Sequence, residues 1–211
     1  MSAQIYIIGL IGALIILAMG GLIVSYRIFK NEYQKKVKMD ISVEEMQEAE
    51  RRLQNFYAEY NLHASASVQE VAKVLRICEG GEDDSITDLA RIGEPDENGV
   101  MSVTFKRGIT AEEKHFLFTH ELAHLINGDP IPATHPEGDN KPQMEQIADY
   151  TAVAILMPLE QVYKYLAEVN YKQQSARKRA CIVNKLCRRY GVSDVIVLRR
   201  IQEVQKLKAD I

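Results

Sequence analysis

Two imidazoles and a carboxylate lie close together in the segment His120-Glu121-Leu122-Ala123-His124. On a helix, residues four apart share one face with about 5 to 6 Å between their Cβ atoms, so both imidazoles can chelate one metal ion. Thr110 and Glu113 form a capping-box pattern before this segment, and Asn127-Gly128 is a typical stop after it. A single capped helix is therefore predicted, and the rest of the fold must bring further ligands to it.

A catalytic zinc site uses three protein ligands and leaves one position for water. The metzincin class would place a Gly and a His three and six residues after the second histidine, but Asn127 and Pro130 stand there, which excludes it. A second helix is predicted over residues 142–158, with Glu145 and Asp149 on one face beside small alanines. Burying two carboxylates is costly unless a cation meets them. We therefore expect Glu145 to be the third ligand and Asp149 to hold the other ring nitrogen of a ligand histidine.

Other assignments of these residues remain open. Asp149 itself, or His135 from the Pro- and Gly-rich loop after the first helix, could be the third ligand, and Glu145 and Asp149 could also form an exposed helix face without a metal. Glu121 lies one position round the helix from His120, so it can act as a catalytic base without binding the ion. The motif predicts one Zn²⁺ per chain as the cofactor.

Hydrophobic periodicity predicts further elements before the motif. A helix should begin at Ser42, with Met46, Ala49 and Leu53 among its apolar positions, and a second should cover residues 68–77. The acidic run 79–84 reads as a loop, and the turn signal Asn98-Gly99 followed by β-branched residues predicts one or two strands within 88–106. These patterns indicate a mostly helical α+β fold with a small sheet.

The segment Ile5–Val24 contains 20 consecutive uncharged residues. As a helix it would span about 30 Å, the thickness of a bilayer's hydrocarbon core. Five basic residues lie within the following segment 27–40, so the positive-inside rule predicts a single-pass membrane protein with its N-terminus outside and its catalytic domain in the cytoplasm. The three cysteines match no metal-ligand spacing, which agrees with a reducing compartment.

The charges of the remaining chain divide into two zones. Residues 41–170 carry 10 Lys and Arg against 24 Asp and Glu, whereas residues 171–211 carry 11 against 3. The acidic zone suits a basic, DNA-binding type of substrate by long-range attraction. The basic tail is interpreted first as a helical subdomain docked on the acidic zone, with contact to anionic lipid or nucleic acid as the alternatives.

The order of these residues resembles the ImmA/IrrE family of zinc metallopeptidase domains. The likeness covers residues 98–201 and is strongest over 115–158, where the metal motif is followed by Glu145 and Asp149 and by the ending Ile155-Leu156-Met157-Pro158. Asp149 stands where the family usually has Asn, Thr151 where it has Phe, and Ala123 where Gly is frequent, and none of these changes removes a ligand type.

The resemblance implies that His120, His124 and Glu145 are zinc ligands and that Glu121 is the catalytic base. It also implies limited proteolysis of a regulator, typically a helix-turn-helix repressor or an antitoxin, in phages, mobile elements and stress responses. The alternative is a non-proteolytic, zinc-containing binding module that recruits a regulator or nucleic acid to the membrane.

The predicted architecture is thus a zincin-like α+β domain that follows a transmembrane helix and precedes a basic helical tail. Its predicted parts are a transmembrane anchor at 1–26, a basic juxtamembrane segment at 27–40, a metallopeptidase domain at 41–158 and a C-terminal subdomain at 159–211.

Overall fold

Three helices begin at capping boxes in the computed structural model, which describes residues 41–130 and 142–208. At each one, a Ser or Thr side chain accepts a hydrogen bond from the backbone of a Glu three residues later, and the Glu side chain accepts one from the cap in return. The caps are Ser42, Ser67 and Thr110. They start α1 (Val43–Glu59), α2 (Val68–Leu75) and α3 (Ala111–Asn127).

Four α-helices follow within residues 142–208. Pro142 and Pro158 precede the first two, and a serine at the N-cap precedes each of the last two. In chain order the helices are α4 (Gln143–Leu156), α5 (Leu159–Glu168), α6 (Ala176–Tyr190) and α7 (Asp194–Leu207), with a 3-10 turn at Tyr171–Gln173.

A three-stranded mixed sheet lies between α2 and α3 in the chain. Its strands are β1 (Ile77–Glu82), β2 (Ala90–Ile92) and β3 (Met101–Phe105), in the order β1-β3-β2. The central strand β3 pairs parallel with β1 and antiparallel with β2, and α3 packs on β2 and β3. The prediction of a mostly helical α+β fold with a small sheet is confirmed.

Strand β1 occupies the end of one predicted helix and most of one predicted loop. The predicted helix over 68–77 ends at Leu75, because Arg76 adopts the left-handed conformation with φ 58° and Ile77 pairs with Met101. The acidic run that was predicted to be a loop forms most of β1 instead. Of the six residues of this edge strand, Ile77 alone is buried, so the sequence shows no alternation of apolar and polar residues from which a strand could be recognised.

Small residues bring α3 and α4 close together. Ala123 of α3 and Ala148 and Ala152 of α4 are fully buried in one cluster. Side chains with a single methyl group let two helix backbones approach closely, so longer side chains above and below them can meet across the interface. The sequence prediction that alanines of α4 permit this approach is consistent with the packing.

A buried arginine ties α7 to α1 and α4. The side chain of Arg200 is 0 % exposed, and its guanidinium donates to the carbonyl oxygen of Met157 at 2.8 Å, to Glu203 Oε2 at 3.1 Å and to Glu50 Oε1 at 3.0 Å. Burial by itself would lower the pKa of Arg200, but Glu50, Tyr150 and Glu203 outweigh burial and raise it. The C-terminal helix is thus fixed to the domain by paired buried charges.

The membrane part of the predicted architecture is corrected. Within residues 41–130 and 142–208, no helix is both long enough and apolar enough to cross a membrane, and the longest helices, of 17 residues, carry charged faces. The part of the chain that the structure describes thus gives no support to the transmembrane helix of the fold prediction or to the membrane localisation derived from it. The segment Ile5–Val24 on which they rested lies outside the described residues.

Candidate metal centre

Helix α3 buries both histidines of the motif. His120, Glu121 and His124 are each less than 5 % exposed, in the part of α3 that faces α4. From α4, Glu145 and Asp149 approach the same place and are also buried. The packing of the two helices therefore collects five ionisable side chains that the sequence analysis had selected.

The Nε2 atoms of the two histidines point toward each other and toward one carboxylate. His120 Nε2 lies 3.0 Å from His124 Nε2 and 3.2 Å from Glu145 Oε2, and His124 Nε2 lies 3.4 Å from Glu145 Oε1. Ligand atoms of His120, His124 and Glu145 all lie within 4.8 Å of one another, and among the described residues these three form a group that could hold a metal ion.

The opposite ring nitrogens each face a carboxylate. His120 Nδ1 lies 3.0 Å from Asp149 Oδ1, and His124 Nδ1 lies 2.9 Å from Asp129 Oδ2. A carboxylate beside Nδ1 favours a proton on that nitrogen, so each imidazole in its neutral form has its lone pair on Nε2. Both lone pairs consequently face Glu145.

This donor set fits a zinc ion. Two imidazole nitrogens and one carboxylate are a common ligand set of catalytic zinc, and tetrahedral bonds of ordinary length place such ligand atoms about 3.3 Å apart. The three observed separations range from 3.0 to 3.4 Å. Lone pairs and carboxylate oxygens at this spacing repel one another unless a cation or a proton lies between them, which is the arrangement expected of a metal-binding site.

The surrounding carboxylates set the charge of the histidines. Burial by itself would lower the pKa of His120, but Asp149 and Glu145 outweigh it and raise this pKa to about 9. Burial, together with the neighbouring His120, lowers the pKa of His124. When no ion is bound, a proton on His120 therefore balances part of the negative charge of the site.

Two of the remaining histidines lie away from this site, and the third lies outside the described residues. His63 is exposed, with its Nδ1 2.6 Å from the hydroxyl oxygen of Ser65, and His115 is partly buried, which lowers its pKa by desolvation. The alternative third ligand His135 lies outside the described residues. Asp149 faces the Nδ1 side of His120, away from the shared Nε2 position, which favours its predicted role as a hydrogen-bond acceptor over the role of a ligand.

Residues 103–202 match the Peptidase_M78 family model, described as the IrrE N-terminal-like domain. Over this stretch the chain is similar to the IrrE N-terminal-like domain. The resemblance predicted from the motif is thereby confirmed, and this domain includes both histidines, Glu145 and Asp149. It extends through α4, α5 and α6 into α7, so most of the basic tail belongs to the matched region.

One solved structure similar to this chain is that of a Mycobacterium tuberculosis transcriptional regulator. The two are 18 % identical with a TM-score of 0.44, over 74 % of this chain and 46 % of the other. The chain thus matches less than half the length of that protein. No match was found among curated proteins.

Two residues of the site were not selected by the sequence analysis. Asp129 follows Gly128, whose φ of 78° ends α3, and this sharp turn brings the carboxylate back to His124. The sequence signal that could have identified Asp129 is its position directly after the glycine that ends the helix. Arg199 donates from its Nη1 to Asp149 Oδ2 at 3.1 Å, and sequence reasoning had assigned it only to the basic tail.

We expect Asp129→Ala to weaken zinc binding about 10- to 100-fold, because His124 loses the acceptor that orients its ring and fixes its tautomer. The affinity can be measured by competition with a chromophoric chelator. Glu97→Ala, which removes an exposed carboxylate from a loop, is the control and should leave the affinity unchanged. Equal affinities of the Asp129→Ala variant and the wild type would show that Asp129 does not support the site.

Proposed function

We propose that the chain is a zinc-dependent metallopeptidase in which His120, His124 and Glu145 hold the ion. The observation that carries this proposal is the convergence of two Nε2 atoms and one carboxylate at 3.0 to 3.4 Å in a buried position. The match to a peptidase family model supports the reaction class. A structural zinc site usually has four protein ligands, whereas the group found among the described residues has three, the number typical of catalytic zinc with water in the fourth position.

Glu121 is proposed as the general base. It lies next to His120 in the sequence and is buried, and it does not belong to the ligand group. A bound zinc ion supplies Lewis-acid polarisation of a peptide carbonyl and of the attacking water. The Glu121 carboxylate takes the proton from that water and then delivers it to the amine nitrogen of the leaving peptide.

The proposed substrate is a regulatory protein, a helix-turn-helix repressor or an antitoxin. Two features support a basic, DNA-binding type of substrate. One is the family resemblance, and the other is the acidic character of residues 41–170, which contain 24 acidic and 10 basic residues. An acidic surface attracts a basic protein over distances of a Debye length and speeds its encounter. Limited cleavage would then inactivate the regulator.

The test is a search for zinc-dependent cleavage. The purified full-length chain is incubated with a lysate of the native host, and newly formed protein N-termini are labelled and identified by mass spectrometry. We expect a small number of new N-termini, concentrated in basic DNA-binding regulators and abolished by a chelator. An unchanged set of N-termini with zinc-loaded protein would contradict proteolysis as the function.

A second candidate function, contact with nucleic acid, is favoured by the charge of α6 and of Lys172 in the 3-10 turn before it. We define the α6 surface as the exposed cations of residues 172–189, and among the described residues none of them forms an ion pair. They are Lys172, Arg177, Lys178, Arg179, Lys185, Arg188 and Arg189. The arginines of α7 differ, because Arg199 and Arg200 pair with Asp149, Glu50 and Glu203. The tail thus docks through α7, and α6 keeps its cations available for phosphates.

For the α6 surface, we expect double-stranded DNA to bind with an affinity that falls steeply as salt increases. Arg177→Gln/Lys178→Gln should reduce the slope of log K against log salt by about 2, since each lost phosphate contact removes about 0.9. Lys73→Gln/Arg91→Gln removes one exposed Lys and one exposed Arg elsewhere and should not change the slope. Fluorescence anisotropy of a labelled duplex measures the affinity of the wild type and of both double variants at each salt concentration. No binding at physiological salt would contradict this second function.

A further inference from the structure

We propose that Arg199 of α7 is a positioning residue of the metal centre and that it acts through Asp149. The inference rests on the proposed binding of a metal by His120, His124 and Glu145. It adds a part of the C-terminal helix to a site otherwise built from α3, α4 and the turn after α3.

A continuous chain of contacts runs from α7 to the ligand position. Arg199 Nη1 donates to Asp149 Oδ2 at 3.1 Å, and Asp149 Oδ1 lies 3.0 Å from His120 Nδ1. The Nε2 atom on the other side of that imidazole lies 3.2 Å from Glu145 Oε2. Each oxygen of Asp149 thus has a different partner, one on each neighbouring helix.

Two partners fix the plane of the Asp149 carboxylate. The χ2 torsion of an Asp side chain has a broad preference, so a single contact with His120 leaves the carboxylate free to turn. The bond from Arg199 restricts that freedom and keeps Oδ1 at 3.0 Å from His120 Nδ1. An imidazole whose Nδ1 is held in this way presents Nε2 in one direction, which is what a metal ligand requires.

Burial makes the Arg199 contact effective. The side chains of Arg199 and Asp149 are 11 % and 9 % exposed, so little water is available to replace the guanidinium. The carboxyl groups of Asp149 and Glu145 both lie within 3.2 Å of His120, and the Arg199 guanidinium offsets part of the negative charge that they bring. Without Arg199, a mostly buried carboxylate would lose a charge-assisted hydrogen bond and would reorient toward other donors.

Arg199 is not the main attachment of α7 to the domain. Helix α7 is fixed by Arg200, which donates to Met157, Glu203 and Glu50. The buried carboxylate of Glu203 contacts both arginines, with Arg199 Nε at 3.3 Å from Oε1 and Arg200 Nη1 at 3.1 Å from Oε2. Replacing Arg199 therefore leaves Glu203 with a cationic partner, and a loss of metal affinity can be separated from a loss of folding.

The experiment compares the zinc affinity of full-length variants by chelator competition, beside the melting temperature of the metal-free chain. Arg199→Gln should bind zinc about tenfold more weakly in a chain that still unfolds cooperatively, and its melting temperature shows how much stability is lost. Arg199→Lys, which keeps the charge and a donor, should recover part of the affinity. Arg91→Gln removes an exposed arginine from β2 and should match the wild type.

A double-mutant cycle with Asp149→Ala tests the path of the effect. If Arg199 acts through Asp149, Arg199→Gln should cause no further loss of zinc affinity in the Asp149→Ala background. An equal loss in both backgrounds, or equal affinity of Arg199→Gln and the wild type, would overturn this inference alone. A wild-type chain that binds no metal would instead overturn the proposed function on which it rests.

Discussion

Glu145→Ala is expected to lower the zinc content of the purified full-length chain from about one ion per chain to less than about a tenth. The substitution removes the negatively charged ligand and leaves two neutral imidazoles, which hold zinc weakly at micromolar concentrations. It also leaves His120 with one carboxylate partner fewer, so the ring loses a contact on its Nε2 side. Metal content measured by inductively coupled plasma mass spectrometry gives the result directly.

The matched control for this variant is Glu160→Ala on α5. Glu160 is an exposed carboxylate whose partner is Lys208, so its loss should leave the zinc content at the wild-type level. Circular dichroism of each variant checks that α3 and α4 are still folded. A Glu145→Ala chain that retained a full equivalent of zinc would show that another residue supplies the third ligand.

Glu121→Gln is expected to keep the zinc and to reduce cleavage about 10²- to 10⁴-fold, the usual contribution of a positioned general base. Glutamine has the same shape as glutamate but cannot accept a proton from the attacking water. Because Glu121 does not belong to the ligand group, the zinc affinity should stay close to that of the wild type. The readout is kcat/KM on a substrate found by the N-terminal labelling experiment.

Two variants make the comparison for Glu121 specific. His120→Ala should lose both zinc and cleavage, whereas Glu121→Gln should lose cleavage alone. Glu112→Gln, in the first turn of the same helix, is the control for introducing a glutamine into α3. A Glu121→Gln chain that cleaved at the wild-type rate would contradict the assigned base.

Local signals predicted the helices of the site well. Helix α3 begins after Thr110 and ends before Gly128, as the cap and stop pattern indicated. Both residues act within one turn of the chain and need no distant partner. Helix α4 lies between Pro142 and Pro158 for a similar reason, since the fixed φ of proline restricts where a helix begins or ends. The motif on α3 then limited which face of α4 could supply a third ligand.

Contacts between distant segments were harder to predict. Strand β1 depends on pairing with β3, more than twenty residues later, and Gly80 shows why its sequence is unusual. A Cβ at Gly80 would lie 2.9 Å from the carbonyl oxygen of Val103, so the close pairing favours glycine there. In an acidic, Gly-containing run the same glycine was interpreted as a loop signal.

Arg199 shows the same limit within the site. It contacts Asp149, 50 residues earlier in the chain, and its neighbour Arg200 contacts Glu50, 150 residues earlier. In sequence, both belong to a run of basic residues whose usual place is a solvated surface. Which of these cations is buried depends on how α7 packs against α1 and α4, and no local pattern encodes that.

X-ray absorption spectroscopy of the zinc-loaded full-length chain tests the central claim, a buried site of two histidines and one carboxylate, most directly. The three cysteines are free thiols outside the described ligand group, so no sulfur should coordinate the ion. We predict a shell of nitrogen and oxygen neighbours at about 2.0 to 2.2 Å with the multiple scattering of two imidazoles. A sulfur neighbour at about 2.3 Å, or failure to bind zinc at all, would contradict the account.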